Sequence, residues 1–276
     1  MSRARARKSS RAERGGTLRF VVTVAILAWL FRSFVFAPFS IPSGSMLPTL
    51  YIGDYLVVEK WPYGFSRYSF PFRFPPFEGR ILSHLPERGD VAVFVPPGAE
   101  GEDYVKRVIG LPGDTVEVRG GRLILNGKAV RQDDPRAVAI PLSPNSPCRH
   151  ITAQGVSLSA VGQTNCLYRS YRETLPNGAS YRIFDQVSDG MADDFPRAVV
   201  PAGHVFLMGD NRDDSLDSRF SEAEGGIGFV PVENLVGRAT RLFWSTDGSA
   251  SYVKPWTWFS ALRGGRIGQS LGSGAR

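Results

Sequence analysis

The sequence predicts a mainly β protein: antiparallel sheets or a partial barrel behind one N-terminal transmembrane helix. Three observations carry this. One long apolar stretch lies near the N-terminus, while the rest of the chain is a series of short valine-rich runs bounded by Gly, Pro or Asp. No long amphipathic helix and no internal repeat interrupts those runs. At 276 residues and 42% hydrophobic content, the chain can bury one sizeable core.

The elements follow in order. Residues 1–19 form a basic tail, in which Arg3, Arg5, Arg7, Lys8, Arg11, Arg14 and Arg19 against Glu13 hold +6 of the formal net charge of +7. The remainder is nearly neutral, which argues against a basic groove and against nucleic acid as a partner. An apolar run from Phe20 to Phe31 becomes long enough to span a bilayer if Arg32 and Ser33 are accepted, giving an anchor over 20–39 of about 20 residues, roughly 30 Å as a helix. Arg32, near the far end, can snorkel to the interface. A cleaved secretory signal is the competing reading; it needs small residues at a cleavage site, and "FVFAPF" supplies aromatics and a proline. With the basic tail held in the cytoplasm, everything beyond residue 40 faces outward.

In the exported part, "YLVVEK" (55–60), "DVAVFV" (90–95) and "DYVKRVIG" (103–110) read as strands. "TVEVRGGRLILNGKAV" reads as a meander turning at Gly120-Gly121 and Asn126-Gly127. These make a first core part, 40–130. Residues 131–200, rich in Pro, Ser, Asp and Asn, read as a cap-like insertion. "HVFLMG" (204–209) and "LVGRATRLFW" (235–244) supply a second core part, 201–250, before a C-terminal segment, 251–276. Both cysteines, Cys148 and Cys166, lie in the insertion. A disulfide suits an exported domain, and two buried free thiols are the alternative.

Ser43 and Ser45 sit in "IPSGSMLPTL" (41–50), stiffened by Pro42 and Pro48 directly after the anchor. A serine nucleophile needs a base, usually histidine. His84, His150 and His204 are scattered, and none lies in a loop rich in other polar groups. A buried lysine can take that role, and Lys106 is the candidate: on a strand it shares a face with Tyr104 while Val105 and Arg107 point the other way. The alternative is an exposed strand edge. A third polar group, "MGDNRDDSLDSRF" (208–220), alternates carboxylates and guanidiniums around Ser215 and Ser218, as a scaffold loop with internal ion pairs would. No zinc spacing is present, and neither metal nor cofactor is expected.

"IPSGSMLPTL", "RGDVAVF" (88–94), "DYVKRVIGLPGD" (103–114) and "GDNRDDSLDSR" (209–219), in this order behind an N-terminal anchor, resemble the four boxes of the bacterial type I signal peptidases. The likeness covers about residues 20–130 and 200–245. It implies a membrane-anchored serine endopeptidase that cuts exported preproteins after an A-x-A pattern. Ser45 would be the nucleophile, Lys106 the general base and Ser43 an oxyanion-hole donor. Ser215 would hydrogen-bond Lys106, and Asp217 would support the loop. It also implies that Ile41, Pro42, Met46, Leu50, Tyr104 and Val105 line shallow substrate pockets, or else serve as ordinary core. Two departures stand out: Asp214 where the family commonly has Asn, and one anchor where the best-known members have two. The implied location is the bacterial inner membrane, single-pass, N-terminus cytoplasmic, with the lipid bilayer itself a partner.

"WPYGFSRYSFPFRFPPF" (61–77) holds eight aromatics, four prolines and two arginines. It reads either as a loop packed on the sheet or as a patch dipping into lipid headgroups, and "KPWTWFSALRGGR" (254–266) shares the second reading. Two other functions remain open on sequence: a different Ser/Lys hydrolase of the cell envelope, and a non-catalytic β-domain that binds envelope partners.

Overall fold

A computed structural model describes residues 2–99, 101–152, 155–158, 164–251 and 253–272. Its first element is a helix, Ser2–Phe34, of which Gly16–Phe34 is long and apolar enough to cross a membrane. The helix does not run to residue 39. Phe36–Ser40 is instead a strand, paired antiparallel with Asp54–Glu59. Pro38 accounts for the change: it cannot donate a helical hydrogen bond, it disfavours helix at Ala37, and it is tolerated on an edge strand.

That edge strand opens a seven-stranded sheet. In spatial order it runs Phe36–Ser40, Asp54–Glu59, Leu235–Ser245, Val91–Phe94, Tyr104–Gly110, His204–Met208 and Val230–Pro231, with every pairing antiparallel. The sheet is buried on both faces. Val91 and Val93 pack with Met46, Leu56 and Val58, whereas Ala92 and Phe94 point the other way into Val108, Val205 and Leu207. A strand covered on both sides reads as a continuous apolar run, hence "VAVF".

The meander forms as expected: Thr115–Arg119, Arg122–Leu125 and Lys128–Ala129 pair in sequence. Gly120, Gly121, Asn126 and Gly127 all have positive φ, so each two-residue turn takes the primed form that matches strand twist. The insertion is less separate than its composition suggests. Asn165–Thr174 pairs with Arg136–Pro141 and Ser180–Phe184 in a small sheet, but Phe195–Val199 joins the meander. Leu175, Tyr181 and Ile183 share a core with Ile109, Val116 and Phe206. The apolar faces of the two parts cover one another. A disulfide does link Cys148 to Cys166, 18 residues apart; closing such a loop contributes on the order of 3 kcal/mol in the chain-entropy account.

The 61–77 stretch divides between residues packed on the domain and residues left exposed. Tyr63, Tyr68 and Phe70 are buried, and Phe70 stacks on Trp29 and meets Phe34 of the helix edge to face. Trp61, Phe72 and Phe74 stay exposed, as do Trp256, Trp258 and Phe259 near the C-terminus.

Candidate active site

The 41–50 segment leaves the edge strand and folds into a tight turn. The Leu47 N–H donates to the Gly44 carbonyl and the Leu50 N–H to the Met46 carbonyl. The turn is stapled to the 209–219 loop by one residue: the Asn211 N–H donates to the Ser45 carbonyl, 3.0 Å, and its Nδ2 to the Gly44 carbonyl, 3.0 Å. Beneath it, Asp54 is fully buried and accepts from the Tyr51 N–H, Ser245 Oγ and the Arg266 guanidinium, which locks the turn to the following strand.

Lys106 reaches this turn from the middle of Tyr104–Gly110. Its Nζ donates to Ser45 Oγ at 2.6 Å, and Ser43 Oγ lies 3.3 Å from the same oxygen. Lys106 is 5% exposed. Burial pushes its ammonium down to about 8; Asp217 opposes the fall and Arg219 adds to it. No carboxylate among the described residues comes within ion-pair distance of Lys106. The lysine can therefore give up its proton near neutral pH and accept one from Ser45.

Neighbouring Arg107 points the opposite way, as strand alternation requires. Its guanidinium is buried, grips both Asp210 oxygens at 2.7 and 2.6 Å, donates to the Gly89 carbonyl and lies 4.1 Å from the Tyr181 ring. Thr49 also donates to Asp210. One carboxylate thus ties the lysine strand to the serine turn. The charges of the 209–219 loop are less self-contained than the sequence suggests. Asp217 pairs with Arg219 inside the loop, but Asp210 reaches Arg107, Arg212 reaches Glu173 and Asp214 reaches Arg149. Short side chains two residues apart cannot all turn inward, so most find partners on facing strands.

Asp217 is fully buried and accepts from the Gly209 N–H and from Arg219. Burial raises its pKa, but the Arg219 charge and hydrogen bonds outweigh that, and the carboxyl ends below its ordinary range. Ser215 departs from expectation: its Oγ is buried with no hydrogen-bond partner, and the bond to Lys106 is not formed. The Ser215 hydroxyl is turned toward Gly209 instead. A Cβ built on Gly209 would lie 2.2 Å from Ser215 Oγ and 2.6 Å from the Ser45 carbonyl, so only glycine fits there.

A groove of about 1120 Å³ runs past the serine, lined by Ile41, Pro42, Met46, Tyr104 and Val105, and on its far wall by Met191 and Leu216. Leu50 is not part of it. The turn bonding Leu50 to Met46 carries its side chain inward, where it is fully buried against Leu56 and Val58. Val187, Gly190, Met191, Ala192 and Phe39 also line the groove, and no sequence signal marks them for it. The only sequence signal of Asn211 is its place in "GDNR". Among the described residues, Asp185, Asp193 and Asp213 bring carboxylate oxygens within 4.8 Å of one another, close enough for a cation. Asp213 and Asp193 also accept backbone N–H groups of Gln186 and Gly190, which closes the 185–193 turn. Burial, with Asp213 and Asp193 beside it, pushes Asp185 up to about 6.

A serine hydroxyl against a buried lysine, on a curled antiparallel sheet and open to an apolar groove, is the arrangement of a Ser/Lys hydrolase. Residues 14–244 match the family model described as signal peptidase, peptidase S26. The signal peptidase I of Rickettsia canadensis (strain McKiel) is 35% identical over 243 residues, 85% of this chain and 80% of the relative. That of Rickettsia typhi (strain ATCC VR-144 / Wilmington) is 34% identical over 235 residues, 82% and 78%. A crystal structure of a signal peptidase I from Enterococcus faecalis V583 is 25% identical and covers 56% of this chain and 97% of its own, at a TM-score of 0.29. The chain belongs to the signal peptidase family S26, serine endopeptidases that remove signal peptides from exported preproteins.

Proposed function

We propose that Ser45 is the nucleophile and Lys106 the general base of this endopeptidase. The observation that carries the reading is the 2.6 Å contact between Lys106 Nζ and Ser45 Oγ in a buried site without a paired carboxylate. Neutral Lys106 takes the Ser45 proton as Oγ bonds to the scissile carbonyl carbon. The tetrahedral oxyanion collapses and the C–N bond breaks. Lys106 then gives its proton to the departing amine, which is the new N-terminus of the mature protein. Water next attacks the ester, surrendering a proton to Lys106, and the signal peptide leaves with a free carboxylate while Ser45 recovers its proton.

Ser43 stabilises the oxyanion. Its hydroxyl lies 3.3 Å from Ser45 Oγ on the open side of the groove, where it can donate to the charge that develops on the scissile carbonyl oxygen. Ser43→Ala is expected to slow cleavage by roughly 10²–10³ without abolishing it. Parent-like turnover of a preprotein by that variant would remove Ser43 from the mechanism. Asp217 holds the loop through the Gly209 N–H, and Ser215 fills the space that Gly209 leaves open. The walls formed by Ile41, Pro42, Met46, Tyr104 and Val105 suit alanine-sized side chains, hence cleavage after A-x-A.

The protein sits in the bacterial inner membrane with its basic tail inside and its peptidase domain on the outer face. The bilayer is its second partner, and nucleic acid is not one. The apolar Gly16–Phe34 helix with cationic residues N-terminal to it supports that orientation. Protease added to intact spheroplasts should degrade the chain beyond residue 40 and spare an epitope placed on the tail. Protection of the Ser45 domain would reverse the orientation.

A further inference from the structure

Beside the peptidase groove, with which it shares Arg32, Phe39 and Asp103, a second cavity of about 200 Å³ lies where the apolar helix meets the domain. Arg32 and Phe39 form one wall, Tyr68–Arg73 the other, and Lys60 and Asp103 reach in between. Lys60 is the unusual member. It is 3% exposed, its chain passes Phe39 with Nζ 5.5 Å from the ring centre, and no hydrogen bond or ion pair among the described residues reaches that Nζ. Leaving a buried ammonium without an acceptor is costly. Burial pushes Lys60 down to about 7, with Asp103 opposing and the Arg32 and Arg80 charges adding to the fall. Arg32 and Lys60 thus face Asp103, the one carboxylate among the described residues that line the cavity.

The surroundings point to the group that would give Lys60 an acceptor. Phe72, on the cavity rim, is 96% exposed, and Phe74 and Trp61 are exposed beside it. Arg32 lies in the last turn of the helix read here as the bilayer span. Aromatic rings and arginines at the end of a span occupy the headgroup layer. We propose that this cavity binds the phosphodiester headgroup of an anionic glycerophospholipid, with Lys60 as its principal donor. A phosphate oxygen supplies the acceptor Lys60 lacks, Arg32 adds a second positive charge, and the acyl chains lie along the apolar helix. The assignment depends on the helix spanning a bilayer and is independent of the chemistry at Ser45.

Native mass spectrometry of the full chain from detergent micelles tests it, with phosphatidylglycerol as probe and phosphatidylcholine and inorganic phosphate as comparisons. The parent should retain one phosphatidylglycerol. Lys60→Met, similar in volume and uncharged, should weaken retention roughly tenfold, the effect of one charge-assisted hydrogen bond. Lys128→Met, on an exposed strand elsewhere, should match the parent. Asp103→Asn removes the opposing carboxylate and should tighten retention, a change that misfolding would not produce. Parent-like retention by Lys60→Met, or equal retention of phosphatidylcholine, would overturn the proposal. Displacement of the lipid by excess inorganic phosphate would make the cavity a site for free anions and overturn its assignment to lipid.

Discussion

Lys106→Met is expected to abolish preprotein cleavage and still yield a protein more stable than the parent at pH 7. Loss of the base should reduce turnover by about 10⁴ or more, as for other members of a nucleophile–base pair. The stability argument runs through the same ammonium. Above about 10.5 lysine is neutral in both the folded and the unfolded chain. As pH falls from there toward about 8, the unfolded chain binds a proton that the buried site resists, and the folded state loses stability. Below about 8 both states are protonated and the deficit is constant, on the order of 3 kcal/mol. Methionine has no such deficit, though it forfeits the bond to Ser45, worth about 1 kcal/mol. A net gain of about 2 kcal/mol at pH 7, vanishing toward pH 10, is therefore expected in urea midpoints of the full chain in micelles. Ser45→Ala should be equally inactive and show no pH-dependent gain. In the parent, kcat/KM should rise with pH and level off above about 8, falling roughly tenfold per unit below. A Lys106→Met protein less stable than the parent at pH 7 would mean the lysine is charged and paired, and the base assignment would have to be given up.

How far the sequence reveals this site depends on which interactions are local. The strands were legible because "VAVF", "YVKRVIG" and the two glycine-rich turns carry their own backbone preferences, and the opposite orientations of Lys106 and Arg107 follow from strand alternation alone. The helix end was misplaced because hydropathy does not distinguish "FVFAPF" as helix from the same residues as an edge strand. The partner that decides it, Asp54–Glu59, lies some 18 residues onward. Leu50 takes the second of the two roles open to it, ordinary core, for a similar reason: a turn bonded from Leu50 to Met46 reverses the face an extended chain would present. Ser215 shows a different limit. Its nearness to the site could be read from the 209–219 loop, but a hydroxyl's direction depends on the space left by Gly209. Asn211 passed unnoticed because its partners are backbone carbonyls, which have no sequence signature.

Asp210 exposes the cost of the network that holds the dyad together. Asp210→Ala should destabilise the protein by about 3–5 kcal/mol, the range for removing one partner of a buried ion pair. The reason is what remains. The Arg107 guanidinium, 2% exposed, would keep only the Gly89 carbonyl, Thr49 and the face of Tyr181, while its charge stays buried. Thr49 would lose its acceptor as well. Because Thr49 follows Ser45 by four residues and Arg107 follows Lys106 by one, loosening the clamp should also separate nucleophile from base, so that kcat falls more than KM rises. The double variant Arg107→Met/Asp210→Leu separates the two effects: without an unpaired charge it should recover most of the stability, yet remain slow because the serine turn and the lysine strand are no longer tied. Urea midpoints and preprotein kinetics on the three proteins decide the matter. An Asp210→Ala variant within about 0.5 kcal/mol of the parent would show that the pair does not anchor the fold, and a fully active double variant would show that it does not position the dyad.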